Sequence, residues 1–268
     1  MKKFNIYQPY RTDQEITLTE NEFIPILNNS DSDFWHYDNY KTMQALAAKA
    51  KCKLWGCFDL NWKNLLPGMS VEDIQAFVND NPDNDVYTFT AYSFLDAHAY
   101  NVWEHGQWCH PEIINIMNQV LPLMGLPEFI ITQPMTLNEM SYGQCFLGNS
   151  KFWTGYLEFL NKFVIACDKL PAEHKELLES QADIQNPQNY VPYILERLLA
   201  TYLMLEKNNL NIMPCSDVYE KNLNSGLLAR IQQKYDAVED NDTEALKQWV
   251  ATRQLNPGNT DWASDWLK

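Results

Sequence analysis

Three stretches of the chain concentrate residues able to do chemistry. In LWGCFDLNWK an apolar run from Cys52 to Phe58 ends in Asp59 and Asn61, with Lys63 two positions on. A carboxylate so placed can hold a divalent cation against a phosphate, and a lysine can neutralise a departing phosphate directly. An ordinary strand-to-loop turn is the plainer reading. The stretch NVWEHGQWCHPE gathers Glu104, His105, Cys109, His110 and Glu112 beside Trp103 and Trp108. His105 and Cys109 are four apart and would share one helical face for zinc, but Gly106 and Pro111 oppose a regular helix and no second ligand pair is evident. A loop presenting Glu104 and His110 as a general base, hydroxyl ligand or diphosphate contact fits better, with tryptophan as a stacking surface; a satisfied structural cluster competes with it. In YVPYILERLLATYLML, Glu196 and Arg197 interrupt an apolar helix. Buried charge is costly unless paired, so these two either form a structural ion pair or place Glu196 on a crevice as acid, base or hydroxyl ligand.

The elements that must position these groups follow from periodicity and turn chemistry. Short strand-like runs at Phe4 to Tyr7, Phe23 to Leu27, Cys52 to Phe58 and the VYTF segment alternate with helical patterns over Tyr40 to Lys51 and from Ser70 to about Val78. Ser70 and Asp73 make a capping box for the second of these helices. Such alternation predicts an α/β fold with a mostly parallel sheet flanked by helices, and in open sheets of this kind ligands bind beyond the carboxyl ends of the strands. Asp59 sits at such an end. The literal DxD at Asp83, Asn84 and Asp85 precedes its strand and reads as turn chemistry.

Past residue 100 the pattern turns mainly helical, over Pro111 to Leu123, Lys151 to Cys167 and Tyr190 to Leu205, with a strand expected within Gly143 to Gly148. Phe152, Trp153, Tyr156, Phe159, Leu160 and Phe163 recur at helical spacing and form a core-facing stripe. Ala172 to Gln188 reads as polar and mobile. A helix pair and a tail bearing Trp262 and Trp266 complete the chain. The expected organisation is a main domain over 1–222 and a helical extension over 223–268 packed on it.

Composition narrows the classes. The chain has 268 residues, 46% of them hydrophobic and 21% charged, which excludes both a disordered chain and a disulfide-stapled miniprotein. A formal net charge of −15 with no basic run disfavours nucleic acid as a partner. Six dispersed cysteines without a CxxC pair, no signal-like leader and no long apolar run predict a cytoplasmic protein with reduced thiols.

Taken in order, LWGCFDLNWK, SVEDIQAFVNDNPDNDVYTF, NVWEHGQWCHP, CFLGNSKFWTGYLEFL and YVPYILERLLATYLML resemble the GT-A-like glycosyltransferases of bacterial capsule and O-antigen clusters, a group that includes galactofuranosyltransferase-type modules. The likeness spans roughly residues 1–220. It implies a nucleotide-binding sheet of the GT-A type, a nucleoside diphosphate sugar donor and a glycan acceptor. Catalytic groups on this reading are Glu104, Glu196 and His110. Donor and diphosphate contacts are Gln8, Asp59, Asn61, Lys63 and Arg197, and acceptor contacts are Trp103 and Trp108. Asp59 would also hold any Mn²⁺ or Mg²⁺, and no redox cofactor is needed. The protein would then work at the inner face of the membrane or beside other polysaccharide-assembly proteins. The competing expectation is a non-catalytic carbohydrate-binding member of such an assembly, and a zinc hydrolase on His105, Cys109 and His110 is the third.

Overall fold

Strand β1 (Phe4–Tyr10) alternates as its sequence requires, burying Phe4, Ile6 and Gln8 and leaving Asn5 and Tyr7 half-buried. The computed structural model describes residues 4–28, 37–49, 52–89, 93–141, 143–182, 188–215 and 225–252. β1 pairs in parallel with β2 (Ile24–Leu27) on one side and with β3 (Leu54–Cys57) on the other. β4 (Val86–Thr88) and β6 (Ile212–Pro214) form a second parallel pair. Between β3 and β4 runs β5 (Phe146–Asn149), antiparallel to both, giving the order β2-β1-β3-β5-β4-β6. The α/β sheet expected from the alternating pattern is therefore present, mostly parallel and flanked by helices.

The first helices are α1 (Asp13–Ile16), α2 (Tyr37–Lys49), α3 (Trp62–Leu65), α4 (Val71–Asp80) and α5 (Ser93–His98). Then come α6 (Val102–Cys109), α7 (Ile113–Leu123), α8 (Ser150–Asp168), α9 (Ala172–Glu179) and α10 (Tyr190–Glu206). A final helical hairpin spans Ser225–Glu239 and Thr243–Ala251.

Successive residues of the central strands go to opposite faces, so the sheet divides two cores. Trp55, Val86 and Phe146 join α7, α8 and α10, while Leu54, Tyr87 and Leu147 join Trp62 and the Val71, Ile74 and Val78 face of α4. All six aromatic and leucine side chains of the α8 stripe are buried. Trp153 stacks on Trp55 with ring centroids 3.9 Å apart, and its indole N–H donates to the Trp55 carbonyl at 2.9 Å. β3 is buried at every position, as suits a central strand covered on both sides.

The capping box at Ser70 forms as the sequence predicts: Asp73 N–H donates to Ser70 Oγ at 3.1 Å and the Asp73 carboxylate accepts from Ser70 N–H at 2.8 Å. Ser70→Ala should therefore cost about 1 kcal/mol, read as a lower urea midpoint with an unchanged slope.

One expectation is corrected here and others at the site below. Ala172 to Gln188 is not simply a polar mobile stretch. Its first half folds as α9, because Pro171 starts the helix and Leu178 is buried against the main core, with Leu177 packed partly against it. Residues 183–187 lie outside the described residues, as do the tail with Trp262 and Trp266 and the 222/223 boundary.

The C-terminal hairpin packs on α5, whose last carbonyls it satisfies. Arg230 Nε donates to Ala97 O at 2.6 Å, Lys234 Nζ to Ala99 O at 3.2 Å, and Tyr235 O–H to the Asp96 carboxylate at 3.1 Å. Cations at a helix C-terminus oppose its partial negative charge. Trp249 lies beneath both, 5.1 Å from the Arg230 guanidinium and 5.7 Å from Lys234 Nζ. Among the described residues no helix is long and apolar enough to cross a membrane.

Candidate functional site

From β1 the chain goes to β2 on one side and returns as β3 on the other, so the strand order switches between β1 and β3. Crevices form beyond the carboxyl ends of strands at such a switch. Gln8, at this end of β1, has no exposed surface. Its Nε2 donates to Asp59 O at 3.0 Å and its Oε1 accepts from Glu20 N–H at 2.8 Å, which fixes the loop after β3 against the loop before β2. Phe58 N–H donates to Tyr7 O at 2.9 Å, and Phe58 also bridges to Cys145 at the start of β5. Asp59 thus leaves the middle of the sheet edge, with its carboxylate accepting from the Gln144 backbone.

Burial, and then the negative charge of Glu196, push the Asp59 carboxyl up to about 7. Glu196 comes from α10. Its own carboxyl is raised by burial, against the lowering effect of Arg197. About half of its side-chain surface, 49%, remains open to solvent. Its side chain is therefore reachable by water. Of these two acids, Asp59, whose ionisation is opposed by burial and by the Glu196 charge, can take up a proton near neutral pH. Their oxygens also suit Mg²⁺ or Mn²⁺, which commonly uses one or two carboxylates and completes its shell with water and substrate phosphate. Among the described residues no group of three or more His, Cys, Asp or Glu surrounds one point, so an all-protein metal cage is not what this donor set provides.

Arg197, beside Glu196, is buried and used on every side. Its Nε donates to Val102 O at 2.9 Å, its Nη1 to Tyr193 O at 2.6 Å, and its Nη2 lies 3.4 Å from His105 Nδ1. The guanidinium lies across α6 at Gly106, where an added Cβ would stand 2.6 Å from Arg197 Nε. This is the second correction: α6 is a regular helix through Gly106, and the glycine is there to admit the arginine. Burial, then the Arg197 and His110 charges, hold the His105 ring well below its ordinary pKa and therefore neutral.

The remaining predicted residues separate. Glu104 Oε2 accepts from Tyr100 N–H at 2.6 Å and belongs to the start of α6, beside Asn101, whose Oδ1 accepts from Trp103 and Glu104 N–H. Trp103 has no exposed surface and donates to Thr201 Oγ1 at 2.9 Å, so it offers no stacking platform to a ligand. Trp108 is half-buried, edge-on to His105. His110 is buried, stacked on Tyr193 at 3.7 Å, with Nδ1 3.2 Å from Ala182 O. Lys63 is exposed and paired with Glu20 at 2.7 Å, a weak surface contact that a phosphate can displace. Asn61 is exposed just before α3. Asp85 binds Lys151 at 2.8 Å and Asn149 at 2.7 Å, at the opposite end of the sheet from Asp59.

Sequence reasoning brought Gln8, Asp59 and Glu196 forward but missed the bond from Gln8 to the Asp59 carbonyl and the influence of the Glu196 charge on the Asp59 carboxyl. It also missed Gln144, which carries no signal, and Gly106, whose signal was a glycine within a helical pattern, a mark of close approach. No protein-family model, curated protein or solved structure matches the chain.

Proposed function

We propose that the protein is a glycosyltransferase of the GT-A type, moving a sugar from a nucleoside diphosphate donor to a glycan acceptor in bacterial capsule or O-antigen synthesis. The observation that carries this reading is the position of Asp59 just past the carboxyl end of β3, beside the strand-order switch, with the Glu196 charge raising its carboxyl. Glu196 is the base that takes the acceptor proton as the hydroxyl attacks the anomeric carbon. Asp59 faces the donor, directly or through Mn²⁺ or Mg²⁺, and Lys63 is the cation nearest in sequence able to turn to the diphosphate. Glu104, engaged at the start of α6, and Arg197, engaged on three sides, serve the site by holding its walls. Proximity and charge stabilisation supply the rate. The burial of Trp103 removes it as an acceptor contact, which leaves Trp108 for that role.

A panel of UDP, GDP, CMP and dTDP sugars with and without Mn²⁺ tests the reading. At about 100 times its dissociation constant the matching donor adds about 2.7 kcal/mol, several degrees in Tm. The shift should disappear in D59N. Equal melting with every nucleotide, with or without metal, would overturn it.

A further inference from the structure

The C-terminal hairpin and the body meet over a groove at the end of the sheet opposite Asp59. It has two basins of about 520 Å³ each, within the range of small-molecule sites. Lys207, just past α10, and Val238 and Asn241 of the hairpin line both, so the basins abut. Their chemistry differs. The first lies at the amino ends of β4 and β6, where Asn84, Asn138, Asn208 and Asn211 join Asn241 around it. Each amide side chain carries an acceptor and two donors, which matches the donor and two acceptors of a hydroxyl. Glu139 is fixed in the wall of this basin: it is 3% exposed, and its Oε2 accepts from Thr136 N–H at 2.6 Å and from Thr136 O–H at 2.5 Å. Its Oε1 lies 3.4 Å from Lys207 Nζ, too far for a strong hydrogen bond, so a buried acceptor keeps capacity for a ligand hydroxyl. Lys207 neutralises Glu139, and exposed Glu239 adds a negative charge, so an anionic group is disfavoured here.

The second basin is mainly aliphatic. Leu126 and Ile130 from the segment after α7, Met204 and Leu205 from the last turn of α10, and Leu246 from the hairpin line it. Leu126, Met204 and Leu205 pack on the main core but are only partly buried, so the basin carries apolar surface that a ligand chain would cover. A polar basin opening beside an apolar one of equal volume suits a molecule divided in the same way. We infer that this groove binds an amphiphile of the glycolipid class, with an uncharged, hydroxyl-rich head in the polar basin and an alkyl or acyl chain along the apolar one. This inference stands apart from the sugar-transfer reading, since it needs neither Asp59 nor Glu196.

The test uses the full chain and n-octyl-β-D-glucoside below its micellar concentration, with affinity from calorimetric titration and location from amide NMR shifts. The probe should bind at least about tenfold more tightly than glucose, because its chain adds apolar burial. Octanoate, with a chain of similar length and an anionic head, should bind at least about tenfold more weakly than the glucoside. The N138A/N208A double variant, altered at exposed positions that leave folding intact, should weaken the glucoside at least about fivefold. L246D should bring the affinity down to that of glucose, and D59N should bind as the parent does. Octanoate binding as tightly as the glucoside would show an apolar patch only and overturn the proposal. So would glucose binding as tightly, which would show a site for free sugar, or an affinity untouched in N138A/N208A. Should L246D fail to fold, the double variant and the two control ligands decide alone.

Discussion

Glu196→Gln should leave donor binding in place and slow sugar transfer by about 10²–10⁴-fold, the usual contribution of a positioned general base. The substitution keeps the size and polarity of the side chain on a half-open wall, so folding should be unaffected. It also removes a charge that opposes ionisation of Asp59. The Asp59 carboxyl should then titrate below its parental value near 7, and the acid limb of donor binding should move to lower pH. Steady-state transfer on a donor identified by thermal shift, together with donor affinity against pH, reads both effects. Full turnover in E196Q would remove Glu196 from catalysis.

The second large effect concerns stability. In the folded chain the Asp59 carboxyl holds its proton up to about pH 7, whereas its ordinary value is 3.8. The folded state therefore binds the proton more tightly than the unfolded one. The stabilisation this gives is complete below the unfolded value, shrinks as pH rises between the two, and is gone above 7. D59N should consequently be more stable than the parent by about 2–4 kcal/mol at pH 8 and nearly equal to it at pH 4. Urea unfolding of both chains at the two pH values checks this. Equal stability at pH 8 would mean that the carboxylate is well solvated and that the crevice is more open than its walls suggest. The same variant should lose donor binding, the usual exchange of function for stability at a site that holds unfavourable charge.

Local chemistry explains which features were legible from sequence. Ser70 with Asp73 specifies the start of α4 through contacts three residues apart, and the α8 stripe repeats at a period that only a helix can turn inward. Asp59 was found because an apolar strand must end somewhere, and polar residues mark the end. Glu104 has a double reading for a related reason: Asn101 followed three positions later by an acid is itself a helix-start pattern, and the same carboxylate can be a cap or a base. Trp103 and Trp108 look equivalent in sequence, yet the turn of α6 buries one and leaves the other partly open. The influence of Glu196 on Asp59, and the bond from Lys234 to the end of α5, join residues far apart along the chain. No periodicity or spacing encodes such pairs; the packing of α10 and of the C-terminal hairpin creates them.

The placement of β5 bears on how the chain reaches this state. β3 and β4 never pair with each other; each pairs with β5, which enters the sheet from the opposite direction. Until Phe146 to Asn149 have been synthesised, the nascent chain carries one piece of sheet, β2-β1-β3, with an unfilled β3 edge, and a β4 segment whose two partners both come later. Unfilled edges recruit other strands, and long-range pairings close slowly. The reversed strand β5 therefore joins the two halves of the sheet, which predicts that closure of the fold waits on pairings made late in the chain.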